Sequence, residues 1–361
     1  MSNTATHQPA AAATSSADGL APAQRRRWKA SVDRFAALYV WAVVILIFSL
    51  WVPGTFLTRS TLDSIASSQS IAAILAMGLL VPLACGVFDL SIGYTLGITS
   101  IFCSWLMVKE DMNALLAVAL TMLLSLAIGA LNGVIVVRLR LSSFIATLGT
   151  GSILGALTVW ICGGEQIVGN LSPAFTKMSS ASLFGLVAPF YYLLALCLIV
   201  WYVLERTAPG RFLFAVGGNL EAARLAGIRT QRYMFVSLVT SAVVAGFGGL
   251  LYLSTIGSSS TTAGPPYLFP AYAAAFLGAT QIKPGRFNVW GTFVAIFLLA
   301  TGVKGLQLTP QLASTEQWIG DFFYGAALIL AVALSISASH RISRKPAGRS
   351  KRIRSTTRAR S

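Results

Sequence analysis

Ten long apolar stretches occupy almost the whole chain between residues 35 and 338. A helix needs about 20 mostly apolar residues to cross a bilayer, and lipid forces every backbone polar group into an internal hydrogen bond. The stretches lie near residues 36–53, 67–84, 90–108, 114–137, 143–162, 187–204, 233–256, 267–282, 288–306 and 318–338. The sequence therefore predicts an all-α, polytopic membrane bundle of about ten transmembrane helices. A large soluble helical core is excluded because only 11% of the residues are charged.

The basic residues predict the orientation of this bundle. With the amino terminus in the cytoplasm, all but four of the 27 Lys and Arg residues fall on the cytoplasmic side, as the positive-inside rule requires. The exceptions are Arg59, Lys109, Lys177 and Lys304. We therefore predict a transmembrane domain over residues 35–338 between two cytoplasmic tails, a disordered basic one at 1–34 and a basic one at 339–361. The net charge of +16 is explained by basic residues that hold the chain, above all its carboxyl-terminal tail, at anionic lipid headgroups. No nucleic-acid partner is predicted.

The reactive residue types argue against catalysis and against bound cofactors or metals. Both histidines, His7 and His340, fall in the predicted tails, and the chain has no GxxxxGK[ST] phosphate-binding motif. The four cysteines are widely spaced and are predicted to be buried free thiols: Cys85, Cys103, Cys162 and Cys197. The sequence therefore predicts a protein that is not an enzyme and that leaves any ATP hydrolysis to another chain.

Few charged residues lie inside the predicted membrane region. The candidates are Asp89, Lys304, Glu316 and Asp321, most of them near a predicted helix end. A stand-alone ion-coupled transporter usually needs more buried acidic groups than this, so it remains the less favoured alternative.

Small residues predict close helix packing. Three GxxxG pairs place glycines on one face of a helix, where they let neighbouring helices approach closely. These pairs are Gly93 with Gly97, Gly129 with Gly133, and Gly151 with Gly155.

Two short segments interrupt the apolar pattern. Around Asp89 the chain reads Cys-Gly-Val-Phe-Asp-Leu-Ser-Ile-Gly, which predicts a helix start with Asp89 as the N-cap, accepting the amide of Ser91 or Ile92. The alternative is that Asp89 contributes to a translocation path. A second break, at residues 278–286, predicts a short cytoplasmic turn. In it, Pro284 and Gly285 end one helix before Trp290 and Gly291 start the next.

The long predicted cytoplasmic loop at residues 205–232 contains a short helix signal. Asn219 is a suitable N-cap, residues 220–226 favour a helix, and Gly227 is a suitable C′ residue. A capped helix that projects from a membrane bundle is suited to binding a groove of a soluble partner. The alternative is an interfacial connector without a partner.

Three of these segments resemble the permease subunits of bacterial sugar ABC importers of the ribose, xylose, arabinose and galactose type, a family related to branched-chain amino acid permeases. Residues 86–93 are similar to its G-x-x-D-L-S-x-G signature, and residues 129–133 with 143–150 are similar to its N-G and F-I-x-T-L-G-T motifs. Residues 210–228 resemble the segment of the family that contacts the ATPase. Differences occur at Gly278-Ala279 and Pro284-Gly285, where glycine pairs are usual, and at Ser142, where proline is common.

The resemblance implies a ten-helix permease in the bacterial inner membrane that pairs with a second permease copy, as a homodimer. It also implies an ABC ATPase with two nucleotide-binding domains, possibly in one tandem chain, which would use the ATP and Mg²⁺. A periplasmic or lipid-anchored sugar-binding protein would dock on outer loops near 54–66, 163–186 and 307–317. The implied solute is a pentose, hexose or related polyol, with a branched-chain amino acid, a nucleoside or a signalling furanose as alternatives.

The same resemblance assigns roles to particular residues. The implied ATPase-coupling residues are Gly217, Gly218, Asn219, Glu221, Ala222, Ala223, Arg224 and Gly227. The candidates for the translocation path or a helix break are Asp89, Ser91, Gly93 and Asn132, each of which also fits a packing or capping role.

Overall fold

The computed structural model describes residues 36–183, 185–309 and 316–343, and most of both predicted tails falls outside these ranges. The α-helices, in chain order, are α1 (Ala36–Trp51), α2 (Arg59–Ala84), α3 (Ile92–Val108), α4 (Ala114–Arg138), α5 (Ser143–Cys162), α6 (Pro173–Ser180), α7 (Ala188–Arg206), α8 (Ala208–Gly218), α9 (Leu220–Leu225), α10 (Thr230–Ile256), α11 (Leu268–Ala279), α12 (Val289–Gln307) and α13 (Glu316–Ser343). Four two-residue strands are β1 (Ile167–Val168), β2 (Ser182–Leu183), β3 (Leu186–Val187) and β4 (Ser258–Ser259), and a 3₁₀ turn, Pro265–Tyr267, precedes α11.

Each of the ten predicted membrane segments corresponds to one helix of the structure. Six of them, α2, α4, α5, α7, α10 and α12, are long and apolar enough to cross a membrane within the described residues. The helices α1 and α3 and the described apolar part of α13 are shorter. With 12 residues at 1.5 Å each, α11 spans only about 18 Å, well short of a bilayer core of roughly 30 Å. The structure thus confirms a mostly helical fold with six helices of membrane-spanning length in its described residues, and a total of ten spans remains a prediction.

The interior of the bundle is formed by α2, α3, α10, α11 and α12, which carry most of the buried residues. From Ser70 to Ala84, α2 is buried throughout, and α10 packs between α2, α3 and α4. The short helix α11 packs against α2, α12 and α13. At the periphery, α4, α5 and α7 expose large apolar side chains, including Leu115 and Trp160 at 79% exposure each. Exposed apolar surface of this extent is suited to lipid or to another protein.

Local capping sets several helix ends. The Asn113 side chain accepts a hydrogen bond of 2.9 Å from the Leu115 amide at the start of α4. Gly163 and Gly257 end α5 and α10 in the left-handed conformation, which glycine adopts without steric cost.

Short strands and the helix α6 lie at the end of the bundle where α4 starts and α5 ends. Antiparallel pairing joins β1 to β4, with Ile167 opposite Ser259, and joins β2 to β3. Two of the predicted outer loops, at 163–186 and 54–66, contain regular structure. Residues 59–66 form the first turns of α2, because the Thr58 side chain accepts a bond from the Thr61 amide and caps the helix. Residues 310–315 of the third predicted loop lie outside the described ranges.

Candidate functional site

The short helix α9 is capped at both ends by its own sequence. At its start, the Asn219 side chain accepts a hydrogen bond of 2.9 Å from the Ala222 amide. At its end, Gly227 has φ +80° and its amide donates to the Arg224 carbonyl, while the Ile228 amide donates to the Ala223 carbonyl. These two bonds form a Schellman motif, the common stop signal of helices. The predicted capped helix is confirmed, with an end at Leu225 rather than Ala226.

The helix α9 has an inner and an outer face. Ala223 is 4% exposed and belongs to the main apolar core, so it faces the bundle. The other predicted coupling residues of this helix, Glu221, Ala222 and Arg224, are exposed, and Leu225 is 88% exposed. The surface that α9 offers to a partner therefore excludes Ala223.

A second helix in this loop, α8, was missed by the sequence prediction, which treated residues 205–218 as irregular. The Thr207 side chain accepts a bond of 3.4 Å from the Gly210 amide and caps α8. Pro209 lies in the first turn, where its lack of an amide hydrogen costs nothing. Pro209 and Gly210 thus lie in the first turn of a helix.

Backbone contact joins α8 to the end of α2. A methyl group at Gly217 would meet the Ala84 carbonyl oxygen and would lie 2.9 Å from the Gly86 amide nitrogen. Gly218, the next residue, has no atom within 4 Å of the same position. Of the two glycines predicted to contact an ATPase, both are exposed, but Gly217 packs on the end of α2 at its Cβ position and Gly218 does not.

Asp89 lies in the connection between α2 and α3 and is fully buried. Its Oδ1 atom accepts hydrogen bonds from the Ser91 amide at 3.1 Å and from the Ser91 hydroxyl at 2.6 Å. Ser91 Oγ in turn accepts a bond of 2.8 Å from Asn132 Nδ2 on α4. The predicted bond to the Ser91 amide is confirmed, but the N-cap assignment is wrong because α3 starts at Ile92 and Ser91 occupies the N-cap position.

Three hydroxyl groups that the sequence analysis missed hold the backbone of this connection. The Asp89 amide donates to Tyr272 Oη on α11 at 3.0 Å. The Leu90 amide donates to Thr147 Oγ1 on α5 at 2.9 Å, and the Phe88 amide donates to Ser143 Oγ at 3.1 Å. Single hydroxyl residues in apolar helices give no sequence signal that distinguishes such roles.

Unused hydrogen-bonding capacity remains in this buried polar cluster. Within the described residues, Asp89 Oδ2 and Asn132 Oδ1 are buried and have no hydrogen-bond partner by distance and angle. A buried polar atom without a hydrogen bond costs free energy in an apolar interior. The Asp89 cluster is therefore a candidate functional site.

The six glycines of the GxxxG pairs differ in what they contact. Gly129 lies against the α10 backbone at Val239, the close helix approach that the motif predicts. Gly93 and Gly97 instead pack on the backbone of Gly264, in the connection before α11. The remaining three make room for aromatic rings rather than for a helix backbone: Gly133 for Phe235, and Gly151 and Gly155 for Tyr94.

The turn between α11 and α12 packs beside α8. Lys283 Nζ forms a 2.6 Å ion pair with Glu205 Oε2 at the end of α7, and the Arg286 guanidinium lies 3.8 Å from the centre of the Phe214 ring. The helix α11 ends at Ala279, three residues before the predicted limit of 282. The start of α1 lies at this same end of the bundle, because the Ala37 amide donates to Gln281 Oε1.

Asn288, which the sequence analysis did not single out, organises this turn. Its Oδ1 accepts from the Gly291 amide at 2.7 Å and caps α12. Its Nδ2 lies within hydrogen-bonding distance of three carbonyl oxygens, those of Gly278, Gln281 and Arg286. One side chain therefore joins both sides of the turn. The available sequence signal was an asparagine, a preferred N-cap residue, directly before an apolar helix.

The other charged candidates do not join the Asp89 cluster. Lys304 is half-buried in the last turn of α12, and Asp321 is exposed on α13. The side chain of Glu316 lies outside the described part of the chain. The four cysteines are free thiols, and Cys85, Cys103 and Cys197 are buried as predicted, whereas Cys162 is half-buried.

Comparison with known proteins identifies relatives along most of the chain. A family model described as branched-chain amino acid transport system / permease component matches residues 61–332. The D-allose transport system permease protein of Escherichia coli (strain K12) is 28% identical over 302 residues, which cover 84% of this chain and 91% of the relative. The ribose import permease protein of the same strain is 32% identical over 275 residues, covering 74% and 83%. An autoinducer 2 import system permease protein of Photorhabdus laumondii is 28% identical over 327 residues, covering 88% and 94%.

Proposed function

Because the chain belongs to the family of permease components of branched-chain amino acid transport systems, we propose that it is the transmembrane permease subunit of an ATP-driven importer. The family match over residues 61–332 is the observation that carries this proposal. The protein would lie in the bacterial inner membrane with ten spans and both termini in the cytoplasm. The distribution of Lys and Arg supports this orientation.

A monosaccharide or related polyol is the proposed solute. Two relatives are named for D-allose and ribose, and the ribose relative is 32% identical to this chain. The relatives named for autoinducer 2 keep a signalling furanose as the alternative. A branched-chain amino acid, which the family description mentions, has no support from these relatives.

The proposed assembly contains a second permease copy, an ATPase and a solute-binding protein. ATP and Mg²⁺ would be used by the ATPase, with two nucleotide-binding domains that can lie in one tandem chain, and this chain would bind no cofactor. The exposed face of α9 is the proposed ATPase contact, at the end of the bundle opposite β1 and β4. The solute-binding protein would contact the α6 and strand end.

The position of α9 suggests how the ATPase acts on the membrane helices. Closure of the ATPase would move α9, and α8 precedes α9 by one residue. Because Gly217 of α8 packs on the backbone of Gly86, movement of α8 would displace the connection that holds Asp89. This chain would thus convert ATPase closure into alternating access without bond-making chemistry of its own.

Purification of the tagged protein from its own membranes in mild detergent tests the assembly. We expect mass spectrometry to identify a stoichiometric ATPase chain, after which the companion binding protein can be screened against sugars. Recovery of the permease alone under several gentle conditions would contradict the proposal and would favour a stand-alone transporter.

A single substitution in α9 tests the role of this helix. Ala223→Pro removes the amide that donates to the Asn219 carbonyl and breaks the helix, so uptake of the identified sugar should be lost. The matched control, Ala223→Ser, keeps the amide and should keep most of the uptake. Normal uptake by Ala223→Pro, with equal amounts of the two proteins in the membrane, would contradict the coupling role of α9.

A further inference from the structure

A groove with many arginines lies where α4, α9 and α10 meet. It has a volume of about 720 Å³ and is lined by the end of α4 and the residues that follow it, by α9, and by the first turn of α10. Its charged lining residues are Arg140, Arg224, Arg229, Arg232 and Glu221, so basic groups outnumber acidic ones by four to one. The groove therefore has a strongly positive surface.

The four guanidinium groups of this groove form no ion pair with any carboxylate of the described residues. In the described part of the chain, none of them has a carboxylate within 4.0 Å, not even that of Glu221. Three other basic residues at this end have partners: Lys283 pairs with Glu205, and Arg206 and Arg286 lie over aromatic rings. Four unpaired arginines beside one cavity create a site suited to an anion, and guanidinium groups bind phosphate through paired hydrogen bonds.

Apolar side chains form the rest of the groove and continue away from it along α4. The lining includes Val137, Leu141 and Met234. On α4, Val134 and Leu131 are 42% and 55% exposed, and they follow the groove towards the middle of this apolar helix. On α10, Val236 is 48% exposed. A positive pocket thus adjoins an apolar track on two helices that are long enough to cross a membrane.

We propose that this groove binds the headgroup of an anionic phospholipid, with the acyl chains lying along the exposed faces of α4 and α10. An acidic protein segment would match the arginines, but it would not account for an apolar track that leads away from the proposed ATPase surface. Basic pockets between membrane helices at the cytoplasmic surface are suited to such headgroups. The bound lipid would lie between α9 and the membrane and would hold α9 in position. This inference requires only that the chain is a membrane protein, and not that it works with an ATPase.

Lipid titration of the purified permease alone tests the site. Delipidated wild-type protein in detergent is titrated with phosphatidylglycerol or with phosphatidylcholine, and bound lipid is counted by native mass spectrometry. We expect phosphatidylglycerol to bind roughly tenfold more tightly, and this preference to disappear in high salt because ions screen the exposed arginines. Equal affinity for the two lipids in wild-type protein would overturn the proposal without any variant.

A pair of matched double variants locates the site. Arg224→Gln with Arg229→Gln should reduce the phosphatidylglycerol preference from roughly tenfold to about threefold, because two of the four arginines that would contact the headgroup are lost. The control, Arg138→Gln with Arg211→Gln, removes the same charge at exposed positions that do not line the groove, and it should keep the preference. An unchanged preference in the groove variant would overturn the proposal. Loss of ATPase co-purification together with unchanged lipid binding would also overturn it and would make an acidic ATPase segment the occupant.

Discussion

At the scale of single residues, a few side-chain hydrogen bonds fix the conformation of segments between helices. Asp89, Ser91 and Asn132 form a chain of hydrogen bonds inside the bundle, and Tyr272 fixes the Asp89 amide from the other side. In a low-dielectric interior such bonds are strong, and the loss of one partner leaves the other buried and unpaired. We therefore expect substitutions at these positions to lower the free energy of unfolding more than substitutions of exposed polar residues.

Replacement of Asp89 should be among the most destabilising polar changes in this protein. Asp89→Ala leaves the Ser91 amide without its acceptor and removes the acceptor of the Ser91 hydroxyl, at a cost of about 3 kcal/mol. Thermal unfolding in detergent measures the change. The control is Asp63→Ala, because Asp63 makes only a 3.9 Å ion pair with exposed Arg59, and a surface pair contributes about 0.5 kcal/mol. Equal unfolding midpoints for the two variants would refute the structural role of Asp89.

Asn288 provides a second test at this scale. Asn288→Ala removes the cap of α12 and the contacts of Nδ2 with carbonyls on both sides of the turn, so we expect a loss of about 3 kcal/mol. Asn113→Ala, which removes one exposed cap, should cost about 1 kcal/mol. Denaturation curves of both variants provide the comparison, and a smaller effect at Asn288 than at Asn113 would contradict it.

At the scale of elements, the helix pair α8 and α9 shows what local signals can and cannot predict. The caps of α9 were predictable because Asn219 and Gly227 act within one helical turn of the bonds that they make. The contact of Gly217 with the end of α2 was not predictable, because α2 ends more than a hundred residues earlier in the chain. The existence of α8 was missed because Pro209 can either start or stop a helix, depending on its position in the first turn.

The two neighbouring glycines of α8 make a matched experiment. Gly217→Ala inserts a methyl group against the Ala84 carbonyl and the Gly86 amide, so α8 must shift, at an overpacking cost of about 1–3 kcal/mol. We expect uptake to fall by about tenfold while the protein stays in the membrane. Gly218→Ala adds the same group to open space and should transport normally. Equal uptake by the two variants would show that the contact between α8 and α2 does not transmit movement.

At the scale of the whole molecule, the exposed apolar faces of the outer helices and the polar, structured ends describe a protein surrounded by lipid. Burial is concentrated in α2, α3, α10, α11 and α12, whereas α4, α5 and α7 expose large side chains. One part of this exposed surface is available for the proposed second permease copy. The two ends differ as well, with the arginine groove and α9 at one end and the short strands at the other.

Cysteine labelling tests the proposed orientation of this molecule. In a variant with its four native cysteines replaced by alanine, Leu115→Cys and Leu225→Cys place exposed thiols at opposite ends of the bundle. A membrane-impermeant maleimide added to intact cells should label position 115, and position 225 only after permeabilisation. The reverse pattern would invert the orientation, and labelling of both positions in intact cells would contradict a spanning arrangement.

The sequence by itself determined the class of the protein, the approximate position of each apolar helix and the caps of α9. These features depend on the length of apolar runs and on bonds between residues close together in the chain. Tertiary structure alone decided that Asn132 and Tyr272, which are 41 and 183 residues from their partners, meet at the Asp89 connection. It also decided that Gly217 contacts the end of α2 and that four arginines share one groove. Such contacts depend on how the helices pack against each other, and the pattern of apolar residues along one helix does not specify which neighbour it meets.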